Sequence, residues 1–452
     1  MKRIAFVIVC LLLLSAGCQP APAVVVSTPS PERTSAATPE PTPVPTPTPV
    51  PTPTPAPTPT PVPEPTRVTI MAAGDLLCLS AQLSAAKTGS EYRFDYCFEA
   101  VKPTISAADL AIGNLETLVA DGYPYTPSYS GSSSPGEPPA ESSAPPADVP
   151  PAQDPPADQP GNASAASGAL LSPPALESAA PAASTGNPRI NAPESFLTAV
   201  LGCGFDVLTT ANNHIFDYKE DGLIKTLQQL NKHGVMHTGA YALPEDKKPL
   251  VADVQGINVA ILAYTSIINN SPGRSNAWMI DRYDEDLVAA DIAAAKQAGA
   301  DFIIICVHWG TEHTHKPNNT QRKMARFMAE AGADIILGSH PHCTQPFETV
   351  ETERGAVPVL YSLGNFISSM SQTMHKDGVI VSMELEKEHE TGATTLSSLT
   401  YIPTLCASSK AGRYVVYPAD LASIAASANA SELEKSRQRT IGVLTENVAK
   451  AQ

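Results

Sequence analysis

Seven short apolar runs punctuate the chain, and each ends in small or polar residues. They are "RVTIMAAGD" (67–75), "ADLAIGNLE" (108–116), "FDVLTTANNH" (205–214), "INVAILAYT" (257–265), "DFIIICVHWG" (301–310), "ADIILGSHPH" (333–342) and "VPVLYSLGNF" (357–366). Runs of this length and composition read as strands, and "FIIICV", which has no polar face, reads as a strand covered on both sides. Between them lie amphipathic segments, "APESFLTAVLGCG", "EDGLIKTLQQLNKHG", "EDLVAADIAAAKQAG" and "NTQRKMARFMAEAG", several closed by glycine as helices commonly are. Strand–helix alternation predicts an α/β domain with a largely parallel sheet. Residues 378–405 instead alternate apolar and polar about a turn at "HETG", the signature of an antiparallel hairpin that extends a sheet. The C-terminal "SELEKSRQRTIGVLTENVAKA" predicts a helix.

Composition narrows how much of the chain takes part. Of 45 prolines, 18 lie in residues 19–66 and 16 in residues 121–188, which leaves roughly 320 residues for folding, enough for one large domain. Residues 1–18 end in "LSAGC" after Lys2, Arg3 and an apolar stretch too short to span a bilayer, the form of a signal peptide. "LSAGC" resembles a bacterial lipobox with Cys18 as the lipidated residue, which predicts an extracytoplasmic protein anchored to the outer face of the cell membrane. Residues 19–66 form a Pro/Thr-rich tether that favours extended polyproline II, with a reach on the order of 150 Å at ~3.1 Å per residue. Residues 121–187 read as a disordered Pro/Ala/Ser-rich insert within a domain spanning 67–425, and 426–452 as a C-terminal helix with no assigned role. Nearly half of the net charge of −16 sits on that insert, where seven Asp/Glu meet no Lys/Arg between residues 121 and 186. With no basic patch, nucleic-acid binding is excluded. The remaining cysteines show no CxxC spacing, and Cys306 reads as a buried free thiol.

The chemistry sits at the strand ends. In open α/β sheets ligands gather beyond the carboxyl ends of the strands, and here those ends carry Asp75, Glu116, Asn212, Asn213, His214, His308, Glu312, His340, His342 and Asn365. Singly, Asp75 after a glycine could cap a helix, and His308 could be a hydrogen-bonded core histidine. Together they form a mixed oxygen and imidazole set suited to a Mn, Fe, Zn or Mg-type ion. In "SHPH", one proline of fixed φ separates His340 from His342, so both imidazoles can face the same side. His233, His237, His313, His315, His375 and His389 lack such placement and read as surface or packing residues.

The blocks "AAGDLLC", "IGNLET", "GFDVLTTANNHIFDY", "VHWGTEH", "GSHPHCTQPFE" and "YSLGNFI" resemble, in order, those of CapA-type poly-γ-glutamate capsule biosynthesis proteins, which look like a branch of the calcineurin-like metallophosphoesterases. The likeness covers roughly 67–120 and 188–405. It implies a four-layer α/β/β/α sandwich with one or two divalent metal ions at the strand ends. By motif, Asp75 matches the first-strand metal aspartate and Glu116 a second acidic ligand. Asn213 matches the asparagine bridging metal and phosphate, and His214 the neighbouring acid. His308, His340 and His342 match the later metal ligands. Two departures weaken one metal position: Leu77 stands where the wider pattern has a histidine, and Gly113-Asn114 where it has Gly-Asp. Two functions follow from the resemblance. One is a membrane-anchored component of poly-γ-glutamate synthesis or export, partnered by membrane polymer-synthase subunits and the anionic polymer. The other is an extracellular metal-dependent phosphoesterase.

Overall fold

The computed structural model describes residues 64–127, 188–409 and 412–445, all within the compact unit Val62–Gln452. Cys18, the signal segment, nearly all of the tether and most of the insert lie outside the described residues. The chain opens with β1 (Thr66–Leu76) and α1 (Ser80–Ala86), then a two-residue ribbon of β2 (Lys87–Thr88) and β3 (Glu91–Tyr92), a single turn α2 (Lys102–Ile105), and β4 (Leu110–Asn114). Beyond the insert come α3 (Glu194–Cys203), β5 (Val207–Thr209), α4 (Lys219–Lys232) and β6 (Met236–Thr238). The central part holds β7 (Leu250–Val254), β8 (Ile257–Thr265), α5 (Glu285–Gln297), β9 (Phe302–His308), α6 (Asn319–Ala331) and β10 (Ile335–Ser339). It ends with β11 (Phe347–Thr352), β12 (Gly355–Leu360), β13 (Asn365–Ile367), β14 (Asp377–Lys387), β15 (Thr394–Ser408), β16 (Tyr414–Pro418), α7 (Leu421–Ala426) and α8 (Ala430–Leu444).

The strands divide into two sheets where alternation by itself predicted one. The first runs β16-β15-β14-β1-β4-β5-β6 with β13 beside the end of β1, and the second runs β11-β12-β10-β9-β8-β7. Parallel pairing joins β1, β4, β5 and β6 in the first sheet and β8, β9, β10 and β12 in the second. The predicted hairpin is β14–β15, antiparallel with Val381 opposite Tyr401.

Period-two alternation explains the layers. On β1, Val68, Ile70 and Ala72 face the second sheet, where Ile261, Ile304 and Leu337 meet them, while Met71 and Ala73 face Phe196, Leu223 and Leu227 of the helices. On β9, Phe302 and Ile304 point into the inter-sheet core, and Ile303 and Ile305 point at Ile292, Met324 and Met328 of α5 and α6. Helices, sheet, sheet and helices therefore stack as four layers, α/β/β/α. Cys306 is a free thiol, only partly buried against the inter-sheet core.

Two boundaries differ from the sequence reading. Residues 121–127, assigned above to a disordered insert, are packed. Asp121 accepts a hydrogen bond from Gln229 (2.6 Å), and the Thr126 hydroxyl donates to the Cys78 carbonyl (2.8 Å). Tyr125 meets Tyr92 edge to face; these tyrosines supply apolar area that the later Pro/Ala/Ser stretch lacks. Nor does the domain end at residue 425: Arg439 of α8 makes a two-pronged ion pair with buried Asp377 at the start of β14, and the Ser436 hydroxyl donates to the same carboxylate. Among the described residues no helix is long and apolar enough to cross a membrane.

Candidate metal centre

Close backbone approaches set the strand ends before any side chain is placed. A Cβ on Gly74 would lie 1.9 Å from the Gly364 carbonyl oxygen, and one on Gly338 would lie 2.0 Å from that of Tyr361. Glycine at these positions lets β1 and β10 press against the 361–364 turn, and the Asp75 amide then donates to the Gly364 carbonyl at 3.1 Å. Just past β10, His340 and His342 take positive φ of 96° and 57°. That backbone is strained for a non-glycine residue, and such strain concentrates at functional sites. Flanking Pro341, this geometry turns both imidazoles inward, leaving them 4% and 3% exposed.

The ends of both sheets converge. Asp75 comes from β1, Glu116 follows β4, Asn213 and His214 follow β5, His308 ends β9, and His340 and His342 follow β10. His308 Nε2 lies 3.0 Å from Asn213 Oδ1, 3.1 Å from His340 Nδ1 and 3.5 Å from Glu116 Oε1. His342 Nδ1 lies 3.5 Å from Asp75 Oδ2, and its Nε2 lies 3.8 Å from Glu116 Oε1. Among the described residues three trios bring one ligand atom each to within 4.8 Å of one another: Glu116, His308 and His340; Asp75, Glu116 and His342; and Glu312, His340 and His342.

The donor set fits a cation. Both Glu116 carboxylate oxygens are buried with no hydrogen-bond partner, and the residue is 0% exposed. An uncompensated buried carboxylate costs several kcal/mol, and burial together with Asp75 pushes the Glu116 carboxyl well above its usual range. Burial and then the neighbouring imidazoles push His308 well below the usual histidine range, and burial with His342 pushes His340 down to about 3. Both rings are therefore neutral near pH 7, with lone pairs free to coordinate. Burial lowers His342 as well, but the Asp75 carboxylate beside it raises it overall. A divalent ion among these groups would compensate Glu116 and supply Lewis acidity.

His214 stands at the rim of this cluster with Nδ1 2.7 Å from Asp217 Oδ2, an oxygen that also accepts the Ile190 amide at 2.8 Å. Sequence reasoning passed over Asp217, although the spacing His-x-x-Asp was its signal. It passed over Asn114 as a participant too: the amide that replaces an expected carboxylate donates to Asp75 Oδ1 at 2.8 Å and so orients that ligand. Ser339 supports His308 Nδ1 at 3.0 Å, and Asn365 supports His342 Nδ1 at 3.1 Å. Leu77 is fully buried and contributes no donor. His313, part-exposed, and His375, buried, are surface and packing residues as read, and they pack beside the cluster. Their rings pair at 2.9 Å, Nδ1 to Nε2, and the His313 ring centre lies 6.2 Å from that of His342. Only tertiary contact joins them, so no sequence spacing could have shown it. His233, His237 and His389 bond to Glu194, Asn231 and Thr66, respectively.

Fold and site together define a two-sheet α/β sandwich that collects carboxylates and neutral imidazoles where parallel strands of both sheets end. The chain belongs to the family of the bacterial capsule synthesis protein PGA_cap, whose family model matches residues 69–140 and 173–370. It is 36% identical over 186 residues to the PGA biosynthesis protein CapA of Bacillus subtilis (strain 168), covering 40% of this chain and 48% of that protein. To the capsule biosynthesis protein CapA of Bacillus anthracis it is 33% identical over 210 residues, 44% of this chain and 49% of that one. The chain thus spans about half the length of the curated relatives it matches. Among solved structures, the calcineurin-like phosphoesterase YfkN from Bacillus subtilis superposes with a TM-score of 0.32 at 16% identity, covering 54% of this chain and 75% of that one.

Proposed function

We propose that this protein is a metal-dependent component of poly-γ-glutamate capsule synthesis or export, held outside the cell membrane by a lipid on Cys18. The observation that carries the reading is that the family match, residues 69–140 and 173–370, takes in every residue of the donor cluster. Asp75, Glu116, Asn213, His308, His340 and His342 would hold a divalent ion of the Mn, Fe, Zn or Mg type, and membrane polymer-synthase subunits would be the partners. The test is complementation in a polymer-producing host lacking its own copy. Wild type restores secreted polymer, and the double change His340→Asn, His342→Asn abolishes it at equal protein level; asparagine is chosen because it tolerates the left-handed backbone there. Full polymer from the double variant overturns the reading.

A second reading is favoured by the His214–Asp217 pair at the rim of the cluster. A histidine held by a carboxylate can pass a proton to a leaving group, an effect worth about 10²–10⁴-fold in rate. On this reading the protein hydrolyses an extracellular phosphoester. Metal-loaded protein would then cleave an aryl phosphodiester and His214→Ala would slow it; no turnover with any of the four metals removes this alternative.

A further inference from the structure

We propose that the open cleft between α8 and the loops beside the candidate metal centre is a binding subsite for an amide-linked chain that carries carboxylates. The inference rests on the polymer reading above and gives the polymer a place to lie next to the cluster. The cleft measures about 430 Å³, within the range of small-ligand sites. His315, Thr344, Thr373 and Met374 line it from the loops, and Arg439 and Gly442 line it from α8. The family match ends at residue 370 and α8 begins at Ala430, so the likeness in sequence does not reach this side of the cleft.

Hydrogen bonds join the cleft to the cluster. His315 Nδ1 lies 2.7 Å from the carbonyl oxygen of Thr344, two residues after His342. Thr373 and Met374 belong to the turn Thr373–His375. Asn365 ties that turn to a candidate ligand: its Nδ2 donates to the His375 carbonyl at 3.0 Å, and its Oδ1 lies 3.1 Å from His342 Nδ1. A chain seated in the cleft would therefore touch the residues that hold His342 in place.

The polar groups of the cleft call for two kinds of partner at once. Asp377 accepts from Arg439 Nε at 2.6 Å and from its Nη2 at 2.7 Å. Nη1 is left without a hydrogen-bond partner among the described residues, on a side chain 39% exposed, and a free guanidinium edge takes a carboxylate. A carbonyl can only accept, so His315 Nδ1 donates to Thr344. His315 Nε2, which has no hydrogen-bond partner among the described residues, then offers the lone pair of an unprotonated ring to an N–H. Met374 and Val443 add apolar surface. Carboxylate, amide N–H and methylenes are what one glutamyl unit of an amide-linked chain presents.

Gly442 keeps the space open. It lies in the last turn of α8 without a positive φ, and a Cβ there would meet nothing within 4 Å. Neither a turn nor a close approach requires glycine here, and glycine weakens a helix relative to alanine. Its missing side chain leaves room in the cleft.

The test is calorimetric titration of the purified full chain with a short γ-linked glutamate oligomer. Gly442→Leu should weaken binding about tenfold, the equivalent of one charge-assisted hydrogen bond, with the thermal midpoint held or raised and the metal content unchanged. Gly442→Ala should stay close to wild type. The Met374 methyl resonance should shift as wild type saturates and stay still in Gly442→Leu at the same oligomer concentration. Glutarate, which has carboxylates and no amide, should bind more weakly than the oligomer; equal affinity overturns the assignment to an amide-linked chain. Equal oligomer affinity in Gly442→Leu and wild type overturns the subsite and leaves the polymer reading standing. No binding by wild type also overturns it, and complementation by the His340→Asn, His342→Asn variant then decides the polymer reading on its own.

Discussion

Glu116 Oε1 and His308 Nε2 lie 3.5 Å apart, although one belongs to the first sheet's strand ends and the other to the second's. The site exists because two independent sheets finish at the same place. A fully buried carboxylate without a hydrogen bond faces a neutral imidazole there, an arrangement stable only when a cation or a proton joins the cluster.

That relationship predicts opposite effects of Glu116→Gln with and without metal. The folded Glu116 carboxyl is raised above its ordinary value of 4.5, so the folded protein keeps a proton that the unfolded chain releases. Metal-free wild type should therefore lose stability as pH rises from that value through the raised one. Glu116→Gln removes this loss, and at pH 8 the metal-free variant should be the more stable by about 1–3 kcal/mol, the cost of an unsatisfied buried group. With saturating metal the order should reverse. Urea unfolding at pH 5 and pH 8, with and without chelator, reads both signs.

Asp217→Asn should unsettle His214. The Asp217 Oδ2 atom accepts from both the His214 ring and the Ile190 amide, and an asparagine oxygen in that place must share its carbonyl side while its NH₂ meets no matching acceptor. We expect a loss of about 1–3 kcal/mol in stability and a changed His214 tautomer by ¹⁵N NMR. An unchanged ring spectrum would show that Asp217 does not position it.

Gly74→Ala should damage the site through the backbone. Its Cβ would fall 1.9 Å from the Gly364 carbonyl oxygen, so β1 or the 361–364 turn must move. Overpacking of this kind costs about 1–3 kcal/mol. Thermal unfolding should register the loss, and metal affinity should fall with it because Asp75 is the next residue. A variant with wild-type midpoint and affinity would show that the turn yields freely.

Replacing residues 128–187 with a short Gly/Ser linker should leave the midpoint of thermal unfolding within a few degrees of wild type. The flanks already meet: the Thr126 amide donates to the Asn191 carbonyl at 2.9 Å, and the Leu118 amide donates to that of Ile190 at 3.2 Å. Closing a loop between joined ends depends only weakly on its length. Collapse of soluble yield would assign the segment to the core.

Cys18→Ser should move the protein from the membrane to the soluble fraction when it is expressed in a bacterial host. Full retention in the membrane would remove the lipid anchor from the proposal.

How much of this was legible beforehand follows from the range of the forces involved. The hydrophobic period along "RVTIMAAGD" and "DFIIICVHWG" fixes strands locally, since neighbouring side chains must alternate between two faces whatever lies against them. Glycine stops, the "HETG" turn and the histidines at strand ends were likewise readable, because each acts within a few residues of itself. The hydrophobic period alone did not reveal that the strands split into two sheets, which only the likeness of the motif blocks implied, since β9 is apolar on both faces and nothing local says which neighbour a strand will pair with. Nor did it reveal that Tyr125 folds back onto Tyr92, that α8 is bound through Arg439 to Asp377, or that Glu312 and His313 reach the cluster. Those contacts join residues far apart in the chain, and their energy appears only once two sheets have packed and excluded water from the strand ends they share.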